Sequence, residues 1–416
     1  MIDLCSQESK PMLSIDEALA RIKASIHPIK ESETVTLKNA LGRVLTEPVY
    51  SSVNSPLERN AAMDGFAFSS ANLNTEQPFT LSLIGTSWAG KPYIGSLQSG
   101  QCVRIFTGAV MPSEADSVIM QEQAKVNGQE IQFPAHTALR MHIREVGEDI
   151  KEGSVVFACP KKLNAIDLGL LASVGVNEVA VKRPVKIAFF STGDELTELG
   201  KPLVSGQIYD SNRYTLNGLL NDPNYCITDM GVIADNKQLL ETSFIDASTK
   251  HDVIISTGGA SVGEADFIKE ILSHCGKVDF WKIAIKPGKP LAYGKIGECC
   301  FFGLPGNPVA VIVTFKYIVA PALKQLLGAP ELNPIQLKAT CTSVLKKSPG
   351  RQEYQRGLLS QDANGEFFVA SSGNQGSNIL SSISHANCYI VLPVECKGVQ
   401  VGDKVRVDLI QEIGMI

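Results

Sequence analysis

The sequence predicts a multidomain α/β protein: a central parallel or mixed α/β sheet with a composite helical domain, an inserted β-rich domain and a C-terminal β domain. Three observations carry this reading. Between residues 183 and 330, short apolar runs alternate with helix-length segments, the rhythm of βαβ units. In residues 55–142 and 331–416 the apolar period shortens to two, with Gly, Pro, Asn and Ser between the runs. The chain, at 416 residues, is also too long for one core.

Each element has a local reason. Ser14 and Glu17 form a capping-box pattern, and Ala18, Leu19, Ile22 and Ile26 follow at helical spacing until His27-Pro28. Residues 34–51 read as a strand, a short turn or helix, and a strand. A second helix spans about 164–173 and stops at Gly175. Pairing the two helices makes residues 1–54 plus 143–182 one composite helical domain, with the β-rich unit 55–142 inserted. In the α/β region (183–330) the predicted strands are 186–190, 226–231, 253–256 and 299–303. The predicted helices are 213–220, 237–248, 267–273 and 308–327, the last opened by Asn307 as N-cap and Pro308 at its first position. Residues 331–416 alternate as a small barrel or sandwich whose edges must be paired or covered.

Composition narrows the function classes. The chain is 44% hydrophobic and 19% charged with net charge −5, and no Lys/Arg run marks a nucleic-acid stripe. Its ten cysteines include no CxxC. Cys102, Cys226, Cys341 and Cys388 lie in or beside apolar stretches, as small buried hydrophobes of a reducing compartment do; Cys388 and Cys396 stand out as the exceptions to test. The start of the chain lacks a basic region followed by an apolar one, so a cytoplasmic location is expected. The apolar stretch 308–323 is interrupted by Lys316 and is shorter than the roughly 20 residues of a membrane span, so no membrane association is expected.

The chemistry concentrates where strands end. Ser191-Thr192-Gly193-Asp194-Glu195 follows one apolar run, and Thr257-Gly258-Gly259-Ala260-Ser261 follows another, with Asp266 just beyond. Small residues there leave backbone amides free to face an anion at the carboxyl edge of the sheet. Neither loop is a Walker A or a dinucleotide fingerprint. Asp235 lies shortly past a third strand. Glu195, Asp235 and Asp266 converging beside an anionic ligand would repel it and one another unless a hard cation, best Mg²⁺, intervened. The six histidines are scattered, which disfavours zinc. Lys286 and Lys289 flank Pro287-Gly288 as point charges for phosphate or an oxyanion, or as a solvated hairpin. Gly306 and Asn307 open a helix whose amides suit an anion, or merely start it. Asp64, Thr107, Arg351 and the polar loop 371–378 have either functional or ordinary turn readings.

Taken together, NAAMDGFA, RIFTGAVMP, FFSTGDEL, STGGASVGEADF, KPGKPLAYG, GLPGNPVAV and GRQEYQRG occur in order over nearly the whole chain. The combination resembles the MoeA-type molybdopterin molybdenumtransferases, relatives of the gephyrin C-terminal domain. The resemblance implies an elongated subunit of four such domains and a homodimer whose cleft is completed across the two-fold. It implies insertion of molybdate into adenylylated molybdopterin in a Mg²⁺-dependent step that yields molybdenum cofactor and AMP. It assigns catalytic roles to Asp64, Thr107, Glu195, Asp235 and Asp266, the last three toward metal, and ligand-side roles to Lys286, Lys289, Asn307 and Arg351. It also implies transient contact with the adenylyltransferase and with molybdoenzyme-maturation proteins. STGGA stands where many relatives carry TSGGV or TTGGV, which keeps the loop small. The adenylyltransferase step itself and a pure scaffold remain as alternative readings, since relatives with similar loops or folds serve those ends.

Overall fold

In the computed structural model the described residues are 12–258, 270–271, 274–330 and 336–410, with the backbone alone for 278–280. The expected 267–273 helix, and the site residues Gly259, Ser261 and Asp266, lie outside or mostly outside the described residues.

The first helix, Ile15–Ser25, starts at the predicted capping box: the Glu17 amide donates to Ser14 Oγ (3.1 Å), and Glu17 Oε2 accepts from the Ser14 amide (2.8 Å). Its buried face (Ile15, Ala18, Ile22) does not meet the second helix, Ala165–Ser173, as expected. It packs into the main core with Ile187, Phe189, Ile255 and Phe302 of the central sheet. The second helix, capped by Asn164, packs instead through Leu171 on Leu45, Val179 and Val181. Amphipathic spacing identifies the face to be buried but not its partner, and tertiary packing made a different pairing. Around the second helix, Ser32–Thr36 pairs antiparallel with Glu178–Lys182, and Val49–Tyr50 with Val155–Phe157.

Between these paired segments lies a six-stranded sheet in the order Ser117–Met120, Gly65–Phe68, Gln101–Ile105, Phe79–Ser87, Glu130–Phe133, Lys125–Asn127. Alternate residues feed two cores: Ala67, Val103, Ile105 and Val118 on one face, Phe66, Phe68, Ile119 and Phe133 on the other.

The central sheet has the order Tyr225–Ile233, Val185–Thr192, Val253–Thr257, Cys299–Leu304, Pro290–Ile296, Lys277–Lys282. The first four strands are parallel; the last two are antiparallel, so the sheet is mixed. From Val185–Thr192 the chain steps to one side for its next strand and to the other for the one after. The crevice at the carboxyl ends therefore falls beside this strand, where open α/β sheets bind ligands. Phe190, Phe244 and Phe301 stack edge to face beneath one side of the sheet, at 5.5 and 5.3 Å between centroids.

At the opposite, amino edge Asp252 locks three strands. It accepts both forks of Arg183 (2.7 and 2.9 Å) and the Lys186 amide (2.8 Å), while its own backbone pairs with Lys186 and Cys300. Burial opposes its ionisation, but the Arg183 fork and the Lys186 amide outweigh burial and hold the carboxyl below its ordinary range.

The helix Pro308–Leu327 has the predicted bounds and, at 20 residues, runs beyond the apolar stretch 308–323. By length and composition it is the one helix among the described residues able to cross a membrane, yet it is mostly buried in the main core. It contains a π segment, Phe315–Val319, just ahead of Pro321. Proline lacks the amide that would continue the α ladder and crowds the preceding turn, so the wider turn absorbs it. Asn307 occupies the N-cap, but its side chain makes no capping bond. Lys316 and Tyr317 reach from this helix to Leu409 O (2.8 Å) and Asp408 (3.0 Å).

The C-terminal strands close into a barrel. Gln352–Gln361 pairs with Phe367–Ser371 and with Cys388–Leu392, and Leu337–Cys341 and Lys404–Leu409 complete the ring. Closure removes the open edges the sequence had to cover. Arg356 is 1% exposed and works inside this domain, donating to Asn374 O, Gly376 O and Ser382 Oγ, so it pins the loop 371–378. That loop also touches the long helix, where Ser377 O accepts from the Val309 amide (3.2 Å).

The nine described cysteines are free. Burial pushes Cys102, Cys299 and Cys388 up to about 12, as expected of inert core thiols. Cys226 departs from the expectation: it lies exposed on the edge strand.

Because the Asp252 pKa is depressed in the folded state, its stabilisation is complete above the ordinary carboxylate value of about 4 and lost as pH falls through the lower folded value. Asp252→Asn is expected to cost about 2 kcal/mol at neutral pH. Its deficit should shrink below that window, as read from urea unfolding across pH; a deficit independent of pH would refute the assignment.

Candidate functional site

Three strand-end loops meet at the carboxyl rim. Ser191 and Thr257 hold aligned register positions and share a hydroxyl–hydroxyl bond of 2.8 Å. Gly258 follows at φ +86°, and a Cβ there would lie 2.4 Å from Thr192 O. Only glycine permits that approach and that conformation. The third loop, after Leu304, brings Gly306 against Gly258, and Asn212 Nδ2 holds Gly306 O at 2.8 Å. Asn212 thus bridges two loops.

The rim's acidic groups are positioned by this backbone. The register between Val185–Thr192 and Tyr225–Ile233 shifts after Phe189, at a bulge with Gly231 at φ +81°. Beyond it, Asp235 accepts a hydrogen bond from Thr192 Oγ1 through Oδ1, and its amide donates to Asp194 Oδ1 (3.4 Å). Glu195 folds back over Gly193, so closely that a Cβ on that glycine would sit 2.5 Å from Glu195 Oε2. Glu195 and Asp235 are exposed, and the Glu195 carboxylate has no hydrogen-bond or ion-pair partner among the described residues.

The cations are not equivalent. The short strand Ile285–Lys286 pairs with Gln352–Glu353 of the barrel, and Lys286 Nζ lies 3.0 Å from buried Glu353. Lys286 therefore has an acidic partner, with its side chain still half-exposed. Lys289 and Arg351 have no charged partner among the described residues. Gly288, between the lysines, approaches the long helix: a Cβ there would be 2.6 Å from Thr314 Oγ1, itself buried without a partner.

Asp64 and Thr107 meet in the inserted sheet. Asp64 Oδ1 accepts from the Thr107 amide and hydroxyl, both at 2.7 Å, and the amide bond foremost holds its carboxyl below the usual range. Gly65 makes this possible, because a Cβ there would overlap Ile119 O at 1.9 Å. Sequence reading missed the neighbouring slab. Trp88, 51% exposed, stacks on Phe106 (4.0 Å, 10°), with the Arg104 guanidinium 4.6 Å from the Phe106 centroid. The aromatic residue directly before Thr107 was the available signal. Among the described residues, no hydrogen bond, ion pair or shared core cluster joins Asp64 or Thr107 to the rim.

The donor set suits a hard cation. Glu195 and Asp235 offer exposed carboxylate oxygens without thiol or imidazole, and Mg²⁺ needs one or two carboxylates when substrate and water complete its shell. Among the described residues no three His, Cys, Asp or Glu side chains cluster to hold a metal alone, and Asp266 falls outside them.

Comparison with known proteins accounts for the arrangement. Family profiles match in order: MoeA N-terminal region (domain I and II) at residues 13–175, probable molybdopterin binding domain at 188–325, and MoeA C-terminal region (domain IV) at 338–410. A Haemophilus influenzae protein named molybdopterin molybdenumtransferase is 42% identical over 399 residues, covering 95% of this chain and 98% of its own. The chain belongs to the molybdopterin molybdenumtransferase family. It is thus an enzyme of the MoeA type. Gephyrin of Dictyostelium discoideum is 32% identical over 97% of this chain and 63% of its own. The crystal structure of a molybdopterin biosynthesis MoeA protein from Pyrococcus horikoshii OT3 superposes with a TM-score of 0.81 at 28% identity, over 96% of this chain and all of that one. The MoeA-type fold expected from the motifs is the fold observed.

Gly258→Ala must displace Thr192 and with it Asp235. Turnover should fall at least about tenfold, the scale of losing a group that orients a site carboxylate, with circular dichroism preserved; activity equal to the parent would show that the close approach is unimportant.

Proposed function

We propose that this enzyme inserts molybdenum into molybdopterin supplied as its adenylylated form, consuming molybdate and releasing AMP with Mg²⁺ held at the rim. The observation that carries the proposal is the rim itself. Three backbone loops in contact present free strand-end groups, an unpaired Glu195 and a Thr192-anchored Asp235.

Glu195 and Asp235 would hold Mg²⁺, with Asp266 as a further candidate, and the ion when bound supplies charge neutralisation at the phosphoanhydride. The chain's own residues do the rest. Thr192 fixes the orientation of Asp235 by donating to Oδ1, leaving Oδ2 for a cation. Lys289 and Arg351 offer unneutralised positive charge to molybdate and phosphate, while Lys286 holds the KPGK turn on the barrel through Glu353. Gly193 and Gly258, with Gly259 and Ser261 beyond the described residues, would line the pterin phosphate, while Ser191, Thr192 and Thr257 are buried beneath it, the first and last bonded to each other and Thr192 to Asp235. Gly306 and Asn307 offer exposed groups, and Asn307 is free for a ligand because it does not cap its helix.

Asp64 and Thr107 enter through a second subunit. We place a homodimer two-fold so that the inserted sheet of one protomer covers the rim of the other. The ionised Asp64 and the Trp88–Phe106 slab would then face the substrate, the slab giving a flat surface for a heteroaromatic ring. An adenylylated pterin handed over and a finished cofactor handed on call for transient contacts with the adenylyltransferase and with molybdoenzyme-maturation proteins. The free thiols fit a reducing compartment, so the reaction belongs in the cytoplasm.

Purified protein given Mg²⁺, molybdate and adenylylated molybdopterin should release AMP and yield cofactor that activates an apo-molybdoenzyme. Absence of both products would end the proposal. Thr192→Val should reduce turnover about 10- to 100-fold, mostly recoverable at higher Mg²⁺, because it loosens a ligand without removing it. No effect of added Mg²⁺ would remove Thr192 from the metal site.

A further inference from the structure

A cleft of about 730 Å³ lies at the amino end of the central sheet, away from the rim. Its walls are Arg21, His274, Lys277, Trp281, Tyr293 and Lys295. Register explains why they gather. Lys277 and Trp281, at alternate positions along one strand, share a face with Lys295 and Tyr293 of its antiparallel neighbour; the side chain of Asp279, between them in sequence, lies outside the described residues. Lys295 also pairs with Cys300 at the start of the Cys299–Leu304 strand, whereas the rim begins beyond Leu304.

Arg21 reaches the cleft from the first helix. Ser25, one turn on, forms a hydrogen bond between its hydroxyl and Tyr293 OH, which fixes the helix against the strand pair. The walls are therefore built by packed secondary structure.

Lys277 and Lys295 are directly opposite across an antiparallel pair, where like charges destabilise. Neither has an ion pair or side-chain hydrogen bond among the described residues, and the same holds for Arg21. Glu17, one turn before Arg21, is engaged by Ser14. An anion set among the three cations would relieve the repulsion. Beside them, Trp281 and Tyr293 stand 5.5 Å apart with rings tilted by 41°, and Trp281 is only partly buried. A flat ring can stack there. The cleft volume falls within the 300–1,000 Å³ typical of small-ligand sites.

We propose that this cleft is a second ligand site, separate from the rim, that takes a nucleoside monophosphate. Its phosphate sits among Lys277, Lys295 and Arg21, and its base lies on Trp281. The site stands on its own geometry and does not depend on the reaction assigned to the rim.

The chain has two tryptophans, Trp88 and Trp281, so Trp88→Phe leaves Trp281 as the sole indole reporter. AMP, ribose 5-phosphate and inorganic phosphate are titrated into the full-length Trp88→Phe protein. AMP should quench the emission saturably by about 1 mM, with the two base-free ligands at least about tenfold weaker. Adding Lys277→Ala and Lys295→Ala should weaken AMP at least about tenfold, and the Lys277→Arg, Lys295→Arg version should restore it. An unchanged thermal midpoint checks that the alanine variant folds. Emission indifferent to AMP, or AMP binding equal in the alanine and parent proteins, would overturn the proposal. Equal binding of phosphate and AMP would also overturn it, since the site would then be an anion site without base recognition.

Discussion

The rim depends on the absence of one side chain. Gly258 sits against the Thr192 carbonyl at a distance that excludes any Cβ, and in a conformation that other residues adopt only with strain. That contact holds the first and second strand-end loops together. The Ser191–Thr257 bond reinforces it from inside the sheet, and Asn212 ties in the third loop through Gly306. Thr192 then carries the constraint outward to Asp235. A glycine contact in the backbone thus sets the direction of a carboxylate that stands in exposed surroundings. Gly65 repeats the device in the inserted sheet, where close packing on Ile119 presents Asp64 to the Thr107 amide and hydroxyl.

The two ends of the central sheet divide the work. Across its parallel strands the amino end is tied by a bidentate ion pair that spans three strands, and the carboxyl end leaves the Glu195 carboxylate without a partner among the described residues. Such a division lets the Phe190–Phe244–Phe301 stack and the main core supply rigidity while the rim keeps free amides and charges for a ligand. The barrel contributes in the same spirit. Buried Arg356 organises its loop against the start of the long helix, and Glu353 takes up the Lys286 charge. Arg351 is left unpaired beside that junction.

Much of this was legible in the sequence, for definite reasons. Parallel strands that end in Ser, Thr and Gly announce the rim, because buried strands need apolar runs and ligand loops need small residues. The capping box at Ser14 and the helix starts at Asn164 and Pro308 are local, and they formed where local chemistry put them. What failed was non-local. The first helix buried its predicted face but packed on the long helix Pro308–Leu327. Lys286 found Glu353, 67 residues away, and Asn307 left its cap unused. Nothing in the spacing around Arg356 marks it as the buried pin of a loop. The Trp88–Phe106 stack joins two strand ends that periodicity treats separately. Each miss concerns which distant group a side chain meets, which neither spacing nor composition encodes.

The central claim is that a working site combines the rim of one protomer with Asp64 and Thr107 of its partner. Subunit mixing tests it most directly. Differently tagged Asp64→Asn and Asp235→Asn chains, each expected to be inactive alone, are co-expressed and the random population of dimers is purified without fractionation. A site shared across the two-fold restores about one quarter of parent activity, since half the dimers are mixed and each holds one intact site. Mixed dimers as inactive as either parent variant would contradict the shared site.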